Sequence, residues 1–118
     1  MGKRSVLIVE DEPLIAMMLE DFLESLGHDV VGTCESVDEA IVKVDEGGFD
    51  LAIIDVQLKD GQQVWPLADR LAEQGTPYII ATGGHVEPPP EKHAGVPVLS
   101  KPYTIDAIPT ALERACGK

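Results

Sequence analysis

The sequence predicts an α/β fold: a five-stranded parallel sheet with helices on both faces. Three observations carry this. Short apolar runs alternate with amphipathic segments along the chain, and runs of four or five apolar residues read as buried parallel strands. Hydrophobic residues make up 44% but aromatics only 4%, so the core must be aliphatic. Four of the runs also end in residues that handle charge: Val6–Val9 in Glu10-Asp11, Leu51–Ile54 in Asp55, Tyr78–Ala81 in Thr82, and Val96–Ser100 in Lys101. All strand ends of one sense lie on one edge of a parallel sheet, where open α/β sheets bind their ligands.

Each element has its own signals. Strand one spans Ser5–Val9. Pro13 suits a first helical turn, and Leu14, Ile15, Met18, Leu19, Phe22, Leu23 and Leu26 give the following helix an apolar face that Gly27 ends. Asp29–Thr33 reads as strand two. Ser36 and Glu39 form a capping box that opens the second helix, with Val37, Ala40, Ile41 and Val44 inward and Gly47-Gly48 at its end. Asp50–Ile54 is strand three, and Asp60-Gly61 signals a turn. The third helix carries Leu67, Ala68 and Leu71 inward, takes Pro66 in its first turn and ends near Gly75. Strand four is Pro77–Ala81 and strand five Val96–Leu99. A last helix runs from about Thr104 to Ala115, with Pro109 kinking it or shortening its first turn.

Between strands four and five the rhythm breaks. Pro88-Pro89-Pro90 forbid helix across themselves, so a fourth helix is short, near Pro90–Ala94, or the segment is a disordered loop. Right-handed crossovers leave few topologies, and the doubly wound order 2-1-3-4-5 is the natural candidate.

One domain over residues 1–118 fits the length. Nine Lys and Arg against twenty-one Asp and Glu give a net charge of -12. That balance opposes nucleic acid and anionic membranes and suits a cation or a basic protein face. No signal peptide and no membrane-spanning stretch is present. Cys34 and Cys116 are too few for a disulfide framework, so a reduced, cytoplasmic protein is expected. The chain stops near the end of the last helix, so no output domain is expected.

The strand-end residues make a chemical set. Glu10, Asp11 and Asp55 are hard oxygen ligands, and clustered carboxylates repel one another unless a cation joins them; Mg²⁺ fits such a set. A carboxylate such as Asp55, at the end of a central strand, can attack phosphorus and form an aspartyl phosphate. Charge on the transferred oxygens then needs neutralising, by Mg²⁺ and by Lys101, while Thr82 can donate a hydroxyl hydrogen bond. Gly83 and Gly84 leave room for the loop after Thr82 to move.

Val-Glu-Asp-Glu (9–12), Ile-Ile-Asp (53–55), Ala-Thr-Gly (81–83) and Lys-Pro-Tyr (101–103) resemble the receiver domain of two-component response regulators, in order and across the whole chain. The resemblance implies a flavodoxin-like fold and a phosphorelay role. Asp55 is then the phosphoacceptor, and Glu10, Asp11, Asp55 and the backbone carbonyl of Gln57 hold Mg²⁺. Thr82 is the switch hydroxyl and Lys101 pairs with the phosphoryl group. The donor would be a histidine kinase or a histidine phosphotransfer protein, and the protein would be a signalling module, not an enzyme, acting by protein contact as a monomer or weak dimer.

There are departures from the family pattern. Val98 stands where many receivers carry a switching aromatic. The segment Tyr78–Gly84 resembles the "FATGUY" single-domain subclass, with Ile80 in place of its phenylalanine. Both suggest signalling by ordering the loop over 83–95. Two other readings are a metal-dependent phosphohydrolase and a pseudo-receiver that binds without phosphorylation. Gln57, where a hydrolase would carry a second acid, argues against the first. The complete acid, threonine and lysine set argues against the second.

Among the remaining residues, His28, His85 and His93 read as exposed loop histidines, with His85 near the reactive edge. Cys34 and Cys116 read as inert. Met17, Met18 and Trp65 read as packing residues.

Overall fold

The apolar runs become five strands in a computed structural model that describes residues 3–56, 58, 63–82, 93, 95–100 and 103–116. The elements follow in the order β1 (Ser5–Val9), α1 (Pro13–Ser25), β2 (Asp29–Cys34), α2 (Val37–Glu46), β3 (Leu51–Asp55), α3 (Trp65–Gln74), β4 (Tyr78–Thr82), β5 (Val98–Ser100) and α4 (Ala107–Cys116). The sheet is parallel with order β2-β1-β3-β4-β5, the predicted order. The Asp60-Gly61 turn, the segment 83–92 with His85, Ala94, Gln57 and Lys101-Pro102 lie outside the described residues.

Alternation along the strands splits the core in two. Leu7, Val9, Ala52, Ile54, Tyr78 and Ile80 face α2 and α3, where they meet Ala40, Val44, Leu67 and Leu71. Val6, Ile8, Leu51, Ile53, Ile79, Ala81 and Leu99 face α1 and α4, against Leu19, Leu23, Ile108 and Leu112. β3 is buried over its whole length because both of its faces are covered. Each such Leu or Ile contributes about 2 kcal/mol of burial.

Prolines move two strand boundaries. The expected strands began at Pro77 and at Val96; β4 begins at Tyr78 and β5 at Val98, each directly after a proline. A proline has no N–H for the ladder, but its carbonyl still serves. The Pro77 carbonyl accepts from the Ala52 N–H at 3.2 Å, and the Pro97 carbonyl from Ile80 at 3.0 Å.

The helix signals hold with small shifts. Ser36 caps α2, its hydroxyl accepting from the Glu39 N–H at 3.1 Å, while the Glu39 carboxylate accepts from the Glu35 N–H at 2.9 Å. Pro66 falls in the first turn of α3, and Gly75 closes that helix in the left-handed conformation with φ 74°. α4 begins at Ala107 instead of Thr104, which leaves Pro109 in its first turn.

Three expectations fail. Leu14 is 78% exposed and Met17 57%, because the buried stripe of α1 runs through Ala16, Leu19 and Leu23. Sequence periodicity drew that stripe too wide. The third failure is His93, expected at the surface and found 1% exposed. Its ring is enclosed by Trp65 and Tyr78 and bonded to Asp69.

Candidate functional site

Strand register brings the acids together. Val9 pairs with Ile54, so Glu10 and Asp55 stand side by side one residue further on. Both positions are locked by ladder bonds beyond the last strand pair. The Glu10 N–H donates to the Cys34 carbonyl at 2.9 Å, and the Val56 N–H to the Ala81 carbonyl at 3.1 Å. Glu10 and Asp55 are each 1% exposed, and Asp11 is half-buried beside them. One carboxylate oxygen from each of the three lies within 4.8 Å of the others.

The Glu10 side chain is aimed by its surroundings. Its Oε2 accepts from the Glu12 backbone N–H at 3.1 Å, at the start of α1. The N-terminus of that helix carries partial positive charge, which favours carboxylates nearby. The Tyr103 phenol lies near Glu10 as well. Burial first, and then the carboxylates of Glu10 and Asp55, push the Tyr103 phenol far above its ordinary value. It therefore stays protonated and can act only as a donor toward an acceptor-only carboxylate.

Tyr103 is a site residue that the motif reading passed over. The signal was available in the alternation. Val6, Ile8 and Glu10 share one side of β1, and Leu51, Ile53 and Asp55 share one side of β3. That side is the one covered by α1, α4 and Tyr103. A tyrosine just past the end of β5 and buried in that cluster falls beside the carboxylates.

Thr82 ends β4 next to Asp55. Asp55 pairs with Ala81, and Thr82 pairs with Ser100. Ser100 immediately precedes Lys101 in sequence; Lys101 and Gln57 themselves lie outside the described residues. Val98 is 48% exposed on the edge strand β5.

The donor set can be tested against a metal on its chemistry alone. Three carboxylates contribute only hard oxygens, and no His or Cys belongs to the group. Three carboxylates within one small volume, two of them buried, could hold a cation. An oxygen-only set fits Mg²⁺ better than Zn²⁺ or Cu²⁺.

The chain is similar to known proteins in sequence and in fold. The profile of the response regulator receiver domain matches residues 6–113. A solution structure of SdrG from Sphingomonas melonis Fr1 superposes with a TM-score of 0.88 at 45% identity, covering 99% of this chain and 100% of that one. The BeF3-activated conformation of SdrG from Pseudomonas melonis Fr1 gives 0.82 at 46% identity, covering 96% of each chain. The phyllosphere-induced regulator PhyR of Methylorubrum extorquens is 47% identical over 57 residues, which are 48% of this chain and 21% of PhyR. Matches to curated relatives cover between 21% and 58% of those proteins.

Proposed function

This chain belongs to the response regulator receiver family, and we propose that it accepts a phosphoryl group on Asp55 in a Mg²⁺-dependent phosphorelay. The observation that carries the reading is the convergence of the Glu10, Asp11 and Asp55 carboxylates within 4.8 Å, one strand away from the Thr82 hydroxyl. The donor is the phosphohistidine of a histidine kinase or a histidine phosphotransfer protein. An Asp55 carboxylate oxygen attacks phosphorus, the phosphorus–nitrogen bond breaks, and the leaving imidazole takes up a proton.

Glu10, Asp11 and Asp55 would hold the ion, with the Gln57 carbonyl. Bound there, Mg²⁺ supplies charge neutralisation on the phosphoryl oxygens. The Glu12 backbone N–H holds Glu10 in place. Thr82 donates its hydroxyl hydrogen bond to a phosphoryl oxygen, and Lys101 pairs with another. The product carries a charge near -2, which reorganises these donors and changes the surface offered to a protein partner. SdrG takes a BeF3-activated conformation, and beryllofluoride has the shape and charge of a phosphoryl group on a carboxylate, which supports the same chemistry here. The module works in the cytoplasm, in keeping with its two free thiols. Among the described residues, no helix is long and apolar enough to cross a membrane.

The test uses acetyl phosphate and Mg²⁺ with mass spectrometry. The wild-type chain should gain one phosphoryl mass, and Asp55→Asn or chelation of Mg²⁺ should abolish the gain. Equal gain in Asp55→Asn would remove the assignment.

A further inference from the structure

His93 does more than fill a gap in the core. Its ring is 1% exposed and uses both nitrogens. Nε2 lies 2.8 Å from Asp69 Oδ1, and Nδ1 meets the Tyr78 hydroxyl. The Asp69 carboxylate can only accept, so Nε2 carries the proton; in the neutral ring Nδ1 is then an acceptor and Tyr78 donates to it. Trp65 stacks on the ring at 5.6 Å with 19° between planes, and Tyr78 meets it edge-on at 5.7 Å and 71°.

The elements joined here give the cluster its meaning. Trp65 and Asp69 are one turn apart on α3, and α3 is the first helix after Asp55. Tyr78 opens β4, the strand that ends in Thr82. The His93 carbonyl accepts from the Val96 N–H at 3.2 Å, which ties the ring to the approach into β5, the strand that ends at Ser100 before Lys101. One side chain thus clamps together the three elements that follow Asp55, lead to Thr82 and lead to Lys101.

We propose that the His93–Asp69–Tyr78–Trp65 cluster is a coupling clasp, through which a change of state at Asp55 is transmitted to α3 and to the entry of β5. The inference rests on the phosphoacceptor reading. When the oxygens on Asp55 draw in the Thr82 hydroxyl, β4 and the chain leading to β5 must adjust against α3. The clasp is where those three bodies meet. Its bonds and its ring stack share one side chain, so a shift of any one of the three bodies bears on the other two.

Trp65 is the only tryptophan, so its emission reads the clasp directly. The full chain is titrated with beryllofluoride and Mg²⁺ while Trp65 emission and the His93 ring resonances are followed. Acetyl phosphate mass gain is measured in parallel. The wild type should show a saturable emission change and shifted His93 ring signals, both absent in Asp55→Asn. His93→Gln should keep the mass gain and lose most of the emission change. If that variant does not fold, Tyr78→Phe decides the matter, since it removes one hydroxyl and keeps the ring; it too should lose most of the change. Mass gain in the wild type with no response at Trp65 or His93 overturns the clasp alone. So does a folded His93→Gln or Tyr78→Phe that keeps the full response. Absence of mass gain overturns the phosphoacceptor reading and the clasp with it.

Discussion

The acidic cluster of Glu10, Asp11 and Asp55 and the cluster around His93 are both drawn from distant parts of the chain, and each holds two side chains that are almost fully buried. They are built on opposite terms. At the strand ends, three groups of the same charge crowd into one small volume. Around His93, each donor faces an acceptor: the Tyr78 hydroxyl meets Nδ1 and Nε2 meets Asp69. A set of like charges suits a ligand of opposite charge. A set of matched partners is complete and serves to hold structure together. The difference separates a candidate cation site from an internal fastening, although each holds side chains that are almost fully buried.

The largest break in that comparison should come at the acids. Glu10→Gln removes a charged ligand oxygen, so Mg²⁺ affinity by calorimetry should fall about 100-fold, roughly 2.7 kcal/mol. The matching change in the other cluster should do the reverse. Tyr78→Phe takes a donor from a buried acceptor and should lower unfolding stability by about 1–2 kcal/mol, read from urea midpoints. Its Mg²⁺ affinity should stay within about twofold of wild type, well short of one power of ten. If Tyr78→Phe weakened Mg²⁺ as much as Glu10→Gln does, the two clusters would be one unit.

The two clusters also differ in how legible they are. The acids could be read because each terminates an apolar run, and a parallel sheet converts run ends into neighbours. Strand order and the helix caps followed from equally local signals, such as Ser36 with Glu39. His93 could not be read. Its partners lie 15 residues away at Tyr78 and 24 away at Asp69, and no periodic pattern links them. Its neighbours in sequence, Pro88–Pro90 and Gly95, point to a surface loop. Leu14 failed for a different reason: an apolar residue in a helical pattern is not bound to face the core, and tertiary contact decides how wide the stripe is. Tyr103 sat inside a motif that was read for its lysine, and only the alternation of β1 and β3 shows which side of the sheet it joins.

His28 offers the smallest and sharpest test, because it repeats half of the His93 arrangement without a carboxylate. The Arg4 backbone N–H donates to His28 Nδ1 at 3.0 Å. A proton on Nδ1 would set one N–H against another, so this contact needs the neutral ring. Burial, and then the Arg4 charge, hold the His28 pKa below its ordinary 6.5. The sign follows from linkage. The folded ring resists protonation while the unfolded ring takes it up, so stability is full above the unfolded pKa and declines as pH falls through about 6.5. Gln at this position can still accept from Arg4 and does not titrate. Between pH 8 and 5, the urea midpoint of the wild type should fall relative to His28→Gln, by less than the loss in Tyr78→Phe because the ring is only half-buried. Parallel midpoints across that range would show that the Arg4 contact imposes no preference on the ring. The contrast with His93, whose ring nitrogens face the Asp69 carboxylate and the Tyr78 hydroxyl, would then lose its basis.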